Sequence, residues 1–382
     1  MEKNNKTLNV PHLRFPEFSG EWEKYSLNDI STIYGRIGFR GYTVADIVEK
    51  GEGAIALSPT NIDSNCLTYE KDNTYISTYK YEESPEIKIF AGDIIFVKTG
   101  STVGKVAFVD NIIDRTTLNP QLVVLKQVKC NPYFLYLLMA APCFQKHIKR
   151  ITVGGAVPTL SQNEMGRIGI TLPPNAEQDR ISALFKLLNY RIETQKKIIE
   201  KYESLIRGLC EKLTRQGATN KTIAECLECH SSTLQESAVL DAGSYPVYGA
   251  IGICGHADTP DVSGDGILII KDGASVGVTY FANGSYSFIG TLNRLTAKED
   301  INLRYVYYCL KVLNFTPYKT GLAIPHIYFK DYGKHKIWCP THEQQSRIAD
   351  ALTTIDDKIQ VEKSLLEQLN SQKRYMLNQL FI

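Results

Sequence analysis

The side chains richest in potential chemistry form one short string, Cys226-Leu227-Glu228-Cys229-His230. Two cysteines two residues apart and followed by histidine have the spacing of a c-type haem attachment site. With Cys254 and His256 added, a zinc site is conceivable. Haem attachment needs export and a helical fold that buries the porphyrin, and nothing in the sequence suggests either. The zinc pattern has no counterpart in the first half of the chain, and the region reads as an ordinary strand and turn. A second string, Gly100-Ser101-Thr102-Val103-Gly104-Lys105, imitates a phosphate-binding loop. It has three residues between the glycines instead of four and Val106 where Ser or Thr should follow the lysine. It reads as a tight turn between strands. The seven histidines are scattered, and none stands in a triad context. The chain is expected to be non-catalytic and to hold no metal.

A chain that gripped DNA would need cations for phosphates, and hydroxyls, amides or arginine for base edges. In the first half, Arg36, Arg40 and Tyr42 stand in a Gly-punctuated segment. Lys98, Ser101, Thr102 and Lys105 surround the Gly100–Gly104 turn, and Lys149 and Arg150 lead toward Gly154-Gly155 and Thr159. The corresponding places in the second half are expected at Tyr245–Gly252, with Tyr248, then at Lys271 and Ser275, then at Lys319, Thr320, His326 and Tyr328. Asn131-Pro132-Tyr133-Phe134 approaches the Asn-Pro-Pro-Tyr/Phe signature of adenine-N6 methyltransferases but lacks the second proline, and no Gly-rich cofactor loop accompanies it. It reads as a helix start, where proline is tolerated.

The elements that must position these residues occur twice. Pro173-Pro174-Asn175-Ala176-Glu177-Gln178-Asp179-Arg180-Ile181 matches Pro340-Thr341-His342-Glu343-Gln344-Gln345-Ser346-Arg347-Ile348, with Arg180 lying 167 residues before Arg347. The same offset carries Gly154, Ala156, Val157, Pro158 and Leu160 onto Gly321, Ala323, Ile324, Pro325 and Ile327. Lys98–Gly104 matches Lys271–Gly277 at an offset of 173, a drift that loop insertions produce. Each half reads as short strands ending in Gly-rich turns, a short helix (Pro132 to Arg150, or Leu303 to Leu313), a Gly-x-x-x-Pro loop, one more strand and a long helix.

The long helices carry apolar residues at alternating steps of four and three, the spacing of a coiled-coil seam. In the first helix these are Ile181, Phe185, Leu188, Ile192, Gln195, Ile199, Tyr202, Ile206, Leu209 and Leu213. In the second they are Ile348, Leu352, Ile355, Ile359, Glu362, Leu366, Leu369, Lys373, Met376 and Leu380. The polar breaks, Gln195 and Glu362, fall at equivalent positions; such a break can fix register, or can be a polar side chain at a loose spot. Each helix is on the order of 50 Å long at about 1.5 Å per residue. A single apolar stripe needs a partner, and antiparallel pairing of the two helices satisfies both.

The expected architecture is therefore α+β. It has two tandem, pseudo-twofold-related β-rich domains, residues 1–173 and 217–339, followed by long helices over 174–216 and 340–382. The 382 residues suit two domains, and 43% hydrophobic with 22% charged residues is ordinary for a globular protein. No apolar run spans a bilayer, and Met1–Val10 is polar, so a cytoplasmic protein without membrane partners is expected. Nine scattered cysteines read as free thiols. A net charge of +2 does not advertise nucleic-acid binding, but a basic face beside acidic helices would be hidden in that sum.

Taken in order, these features resemble the specificity subunits of Type I restriction–modification systems. The resemblance rests on Val10-Pro11-His12-Leu13-Arg14-Phe15-Pro16-Glu17-Phe18 with Glu21-Trp22, the two Gly-Ser/Ala-x-Val-Gly turns, the two Pro…Glu-Gln…Arg-Ile helix starts and the paired helices. It implies two target-recognition domains that each read half of a split double-stranded DNA site, with the helices acting as a ruler for the spacer. It also implies partners: two adenine-N6 methyltransferase subunits docked on the helices, and restriction/translocase subunits. S-adenosylmethionine, ATP and Mg would be bound by those partners and no cofactor by this chain. Two alternatives stay open from the residues alone: a two-headed DNA-specificity module of another modification or defence enzyme, and a coiled-coil protein-binding scaffold.

Overall fold

A computed structural model describes residues 9–69, 72–152, 157–321 and 323–382. Gly154, Gly155 and Ala156 of the first Gly…Pro loop lie outside the described residues, as do residues 1–8. The chain divides into two compact units, residues 1–193 with 367–382, and residues 194–366.

In the first unit a six-stranded sheet runs in the order Thr32–Gly35, Leu122–Lys126, Ile94–Val97, Val106–Phe108, Cys66–Leu67, Ile62–Asp63. Its central strands are covered on both faces, so Ile94-Ile95-Phe96-Val97 is an unbroken apolar run rather than an alternating one. Ile94 and Phe96 join a core with helices α1 (Pro132–Ala140) and α2 (Pro142–Ile151) and with Ile181 and Phe185 of the long helix α3 (Asn175–Leu213). Ile95 and Val97 join a second core with Ile55, Leu57 and Leu118 of a four-stranded sheet, ordered Thr116–Leu118, Ala54–Leu57, Thr74–Ile76, Ile47–Val48.

The second unit repeats the plan with fewer strands. Its first sheet is Leu227–Ser231, Leu292–Ala297, Gly266–Ile270, Thr279–Ala282. Ile267 and Ile269 pack with helix α4 (Leu303–Lys311), while Leu268 and Ile270 pack with Val247, Tyr286 and Phe288 of the second sheet. That sheet runs Gly252–Ala257, Tyr245–Gly249, Ser285–Phe288, Val262–Ser263.

Two sequence expectations are corrected here. The segment Pro132 to Arg150 is two helices, broken at Ala141, whose extended ψ of 146° is what a following proline demands. Tyr245–Gly249 is not the counterpart of Arg36–Tyr42. It lies parallel to Ser285–Phe288, just as Ala54–Leu57 lies parallel to Thr116–Leu118. The place matching Arg36 instead follows the strand Leu227–Ser231, the first strand of its sheet as Thr32–Gly35 is of the other.

The repeated Glu-Gln at each long-helix start has a structural task. The Gln178 side chain accepts from the Asn131 N–H at 2.9 Å and donates to the Pro173 carbonyl at 2.8 Å. Gln345 does the same with Asn302 at 2.9 Å and Pro340 at 2.9 Å. Each asparagine in turn caps its short helix, accepting from Phe134 N or Tyr305 N at 3.0 Å. One glutamine thus ties a strand end, a short helix and the long helix together. In the first unit the Arg14 guanidinium also forks onto the buried Glu177 carboxylate at 2.7 and 2.8 Å, fixing the N-terminal segment to the same corner.

The long helices α3 and α5 (His342–Gln379) contribute to both units. In the first unit Phe185 meets Phe381 at 6.2 Å between ring centroids, and Leu380 is buried in the same core. In the second, Ile206 and Cys210 pack in one core with Ala349, Leu352 and Ile359. The polar breaks pair with each other there: the buried Gln195 amide donates to the Glu362 carboxylate and, at 3.1 Å, to its carbonyl oxygen. Lys358 closes the other side of that carboxylate at 2.6 Å. Residue numbers rise along α3 as they fall along α5, so the segments run antiparallel. Ile181, Leu188, Ile192, Ile199, Leu352 and Ile359 are buried, whereas Ile348, Ile355 and Leu366 are half-buried. Cys210, off the 4–3 pattern, is buried where Leu209 and Leu213 are only partly so. No helix among the described residues is long and apolar enough to cross a membrane.

Candidate nucleic-acid interface

The Gly turn and the Gly…Pro loop, far apart in sequence, meet in each unit through one hydrogen-bond pattern. In the first, Gly100 N donates to Pro158 O at 3.0 Å and Leu160 N to Lys98 O at 2.8 Å, bracketing an antiparallel bridge between Thr99 and Thr159. In the second, Gly273 N donates to Pro325 O at 2.9 Å and Ile327 N to Lys271 O at 2.9 Å, bracketing a bridge between Asp272 and His326. Leu160 and Ile327, each 1% exposed, anchor the loops in the cores.

The turns themselves also repeat. Gly100 and Gly104 have φ of 108° and 99°, and Gly273 and Gly277 have 103° and 94°. These left-handed positions suit glycine, so both turns carry it there, while the two residues after the first glycine differ between the halves. The phosphate-loop likeness ends there, because the Lys105 ammonium turns inward and donates to the Ile62 carbonyl at 3.2 Å. Lys98 N and Lys271 N donate to Gln121 O at 2.9 Å and Thr291 O at 3.0 Å, so a third segment borders each turn. Exposed Gln121 went unnoticed in the sequence. Its Nε2 lies 3.6 Å from where a Cβ on Gly100 would stand, and its Oε1 accepts from Asn119 at 3.2 Å. Only a polar residue preceding the strand Leu122–Lys126 could have signalled it.

Around this frame the structure brings together most of the expected contacts. Ser101 and Ser275 are exposed at the turn tips, Thr159 is exposed on the bridge, and Lys98, Thr102 and Lys271 are half-buried beside them. Lys149 and Arg150 are exposed in the last turn of α2, and Lys319 and Thr320 are exposed where the second loop begins. Thr320 and His326 exchange both backbone hydrogen bonds, closing a small hairpin. His326 Nδ1 also lies 2.7 Å from the Asp272 carboxylate. Tyr328 is half-exposed, with the Lys330 ammonium 5.3 Å from its ring centre.

Four expected contacts stand apart from that frame. Arg36 is a correction: only 5% exposed, it spends its donors on Leu118 O at 2.9 Å, Arg40 O at 3.2 Å and Thr117 Oγ1 at 3.2 Å. Burial lowers its pKa, and the ring of Tyr42 lies 5.4 Å from it. Burial in turn pushes the Tyr42 hydroxyl up. Arg40 is paired with Glu86 at 3.4 Å. Tyr248 lies half-buried with its ring 5.6 Å from that of Tyr286, and burial raises its pKa.

The cysteine string disperses. Cys226 is a buried free thiol, and its hydrogen bond with the Cys339 thiol, together with burial, holds its pKa well above the ordinary range. His230 Nε2 meets Thr296 Oγ1 at 3.0 Å, and Cys254 donates to Val247 O at 3.4 Å. Among the described residues no three His, Cys, Asp or Glu side chains gather to hold a metal.

The family model described as the Type I restriction modification DNA specificity domain matches residues 19–204 and again 218–371. A type I restriction enzyme specificity subunit from Methanocaldococcus jannaschii, MjaX, is 24% identical over 98% of this chain and 96% of its own. The HindI specificity subunit of Haemophilus influenzae is 24% identical over 50% of this chain and 40% of its own. The crystal structure of a Type I S subunit from M. genitalium shares the fold, with a TM-score of 0.65 at 18% identity over 98% of this chain and 99% of that one. With two copies of the domain, the chain belongs to the DNA specificity subunits of Type I restriction–modification systems, which are their non-catalytic members.

Proposed function

We propose that each unit reads one half of a split double-stranded DNA site through its joined Gly turn and Gly…Pro loop. The chain thereby directs two methyltransferase subunits and the restriction/translocase subunits to that site. The observation that carries this reading is the identical backbone frame with different side chains on it. The bridge holds Thr99 and Thr159 in one unit and Asp272 and His326 in the other, and the bordering residue is Gln121 in one and Thr291 in the other. A constant frame with changed hydroxyl, amide, carboxylate and imidazole groups suits two domains that read different base edges. Exposed Lys149, Arg150 and Lys319 beside it suit phosphate contacts. S-adenosylmethionine, ATP and Mg belong to the partner subunits, and the work of this chain is recognition in the cytoplasm.

Methylome sequencing of cells carrying this chain with a cognate methyltransferase subunit tests the proposal. The expected result is adenine methylation in a two-part sequence with a spacer of fixed length. Methylation at a continuous site, or none that depends on this chain, overturns it.

A further inference from the structure

Val157 and Ile324 occupy matching positions, each immediately before the proline of its Gly…Pro loop. Both are exposed, Val157 by 60% and Ile324 by 58%. A single exposed aliphatic side chain is ordinary. Here the same class of side chain stands out at the same point of a repeated frame. Three residues further on, Leu160 and Ile327 are both buried. The hydrogen bonds from Gly100 and Gly273 to Pro158 and Pro325 hold the next residue in a single antiparallel bridge to the Gly turn. In the second unit Ile324 lies between Thr320 and His326, which exchange both main-chain hydrogen bonds. Exposed cations flank both loops, Lys149 and Arg150 on one and Lys319 on the other.

The rest follows from groove geometry. Direct readout of all four base pairs is possible only in the major groove, about 12 Å wide, so a loop that reads base edges is expected there. The apolar feature that base pairs present in the major groove is the thymine 5-methyl group. We propose that Val157 and Ile324 each pack on a thymine methyl in their half-site, and so act as specificity-determining contacts alongside the polar readers. This inference rests on the DNA-reading function proposed above and assigns two residues and one chemical group to it.

The test uses the full chain in complex with its methyltransferase subunits, on duplexes bearing the site that the methylome defines. Each thymine is replaced in turn by deoxyuridine, which removes only the methyl group. Loss of one buried methyl contact corresponds to about a fourfold weaker Kd. One such position is expected in each half-site. Val157→Ala should abolish methyl sensitivity in one half-site only and Ile324→Ala in the other only, with the salt dependence of binding and the Tm unchanged. Indifference of the wild-type complex to every deoxyuridine overturns the inference, and so does retained methyl sensitivity in both variants. Loss of the methyltransferase subunits from either variant also overturns it, because the side chain would then be a protein contact. A wild-type complex that binds no split site removes the underlying function as well, so the two failures are distinguishable.

Discussion

Single residues in this chain divide sharply between holding the frame and facing outward. Arg36 shows that residue type does not decide the matter: a glycine-flanked arginine in a loop is 5% exposed and bonded to two carbonyls and a hydroxyl. Gln178 is the stronger case, since one side chain satisfies the Asn131 N–H and the Pro173 carbonyl. Gln178→Ala leaves both without a partner and should destabilise the first unit by about 2 kcal/mol, read as a lower urea midpoint; an unchanged midpoint would show that water replaces the amide. Lys149 and Arg150 are predicted to act through charge alone. Each alanine substitution should weaken binding to all DNA sequences alike and make the slope of log K against log salt shallower by about 0.9. A change of preferred sequence in either variant would instead make it a base reader.

At the scale of elements, the paired helices carry one conspicuous polar layer. Gln195 and Glu362 are buried against each other, with Lys358 on the outer side. Glu362→Leu removes the carboxylate acceptor of the Gln195 amide, leaves it only the main-chain carbonyl of residue 362, and should cost about 1–3 kcal/mol. Glu362→Leu combined with Gln195→Leu should recover that loss or exceed the original stability, because a well-packed apolar layer needs no desolvated partners. Thermal unfolding of the three proteins checks the order. The layer also has a pH signature. Lys358, and then Gln195, hold the Glu362 carboxyl below the usual carboxylate range. A depressed folded value stabilises the fold above the ordinary value, about 4.3, and that contribution disappears as pH falls through the folded value. The gap in urea midpoint between wild type and Glu362→Gln seen at pH 7 should therefore narrow as pH falls below the ordinary carboxylate value and close once it is below the depressed folded value. A gap that persists there would assign the effect to shape rather than charge.

At the scale of the whole molecule, the two copies keep their helix starts and polar layer at one offset of 167 residues, while the turns drift to 173. Among the described residues, the second unit has no counterpart of the outer strands Cys66–Leu67 and Ile62–Asp63 that widen the first unit's main sheet. If each unit reads one half-site as proposed, the helices set the length of the spacer. Inserting four residues, just over one turn, after Gln195 and after Glu362 should lengthen the unspecified spacer of the methylated site and leave its two half-sequences unchanged. Altered half-sequences in the methylome of such a strain would break the ruler model.

The sequence by itself determines the repeat, the α+β plan, the two long helices with their seam and matched polar break, and the two Gly turns. These are features of local spacing: a 3–4 period, a left-handed glycine and a proline-stopped strand each leave a direct mark on residue order. Only the tertiary structure decides which loops meet. The Gly turn and the Gly…Pro loop are joined by main-chain hydrogen bonds between residues about 60 apart in the first unit, such as Gly100 and Pro158, and main-chain bonds depend little on side-chain identity. The same reason hides the role of Gln121, the inward turn of Lys105 and the burial of Arg36. Whether a polar side chain reads DNA or holds the fold depends on which carbonyl lies opposite it, and that is settled only when the sheets are assembled.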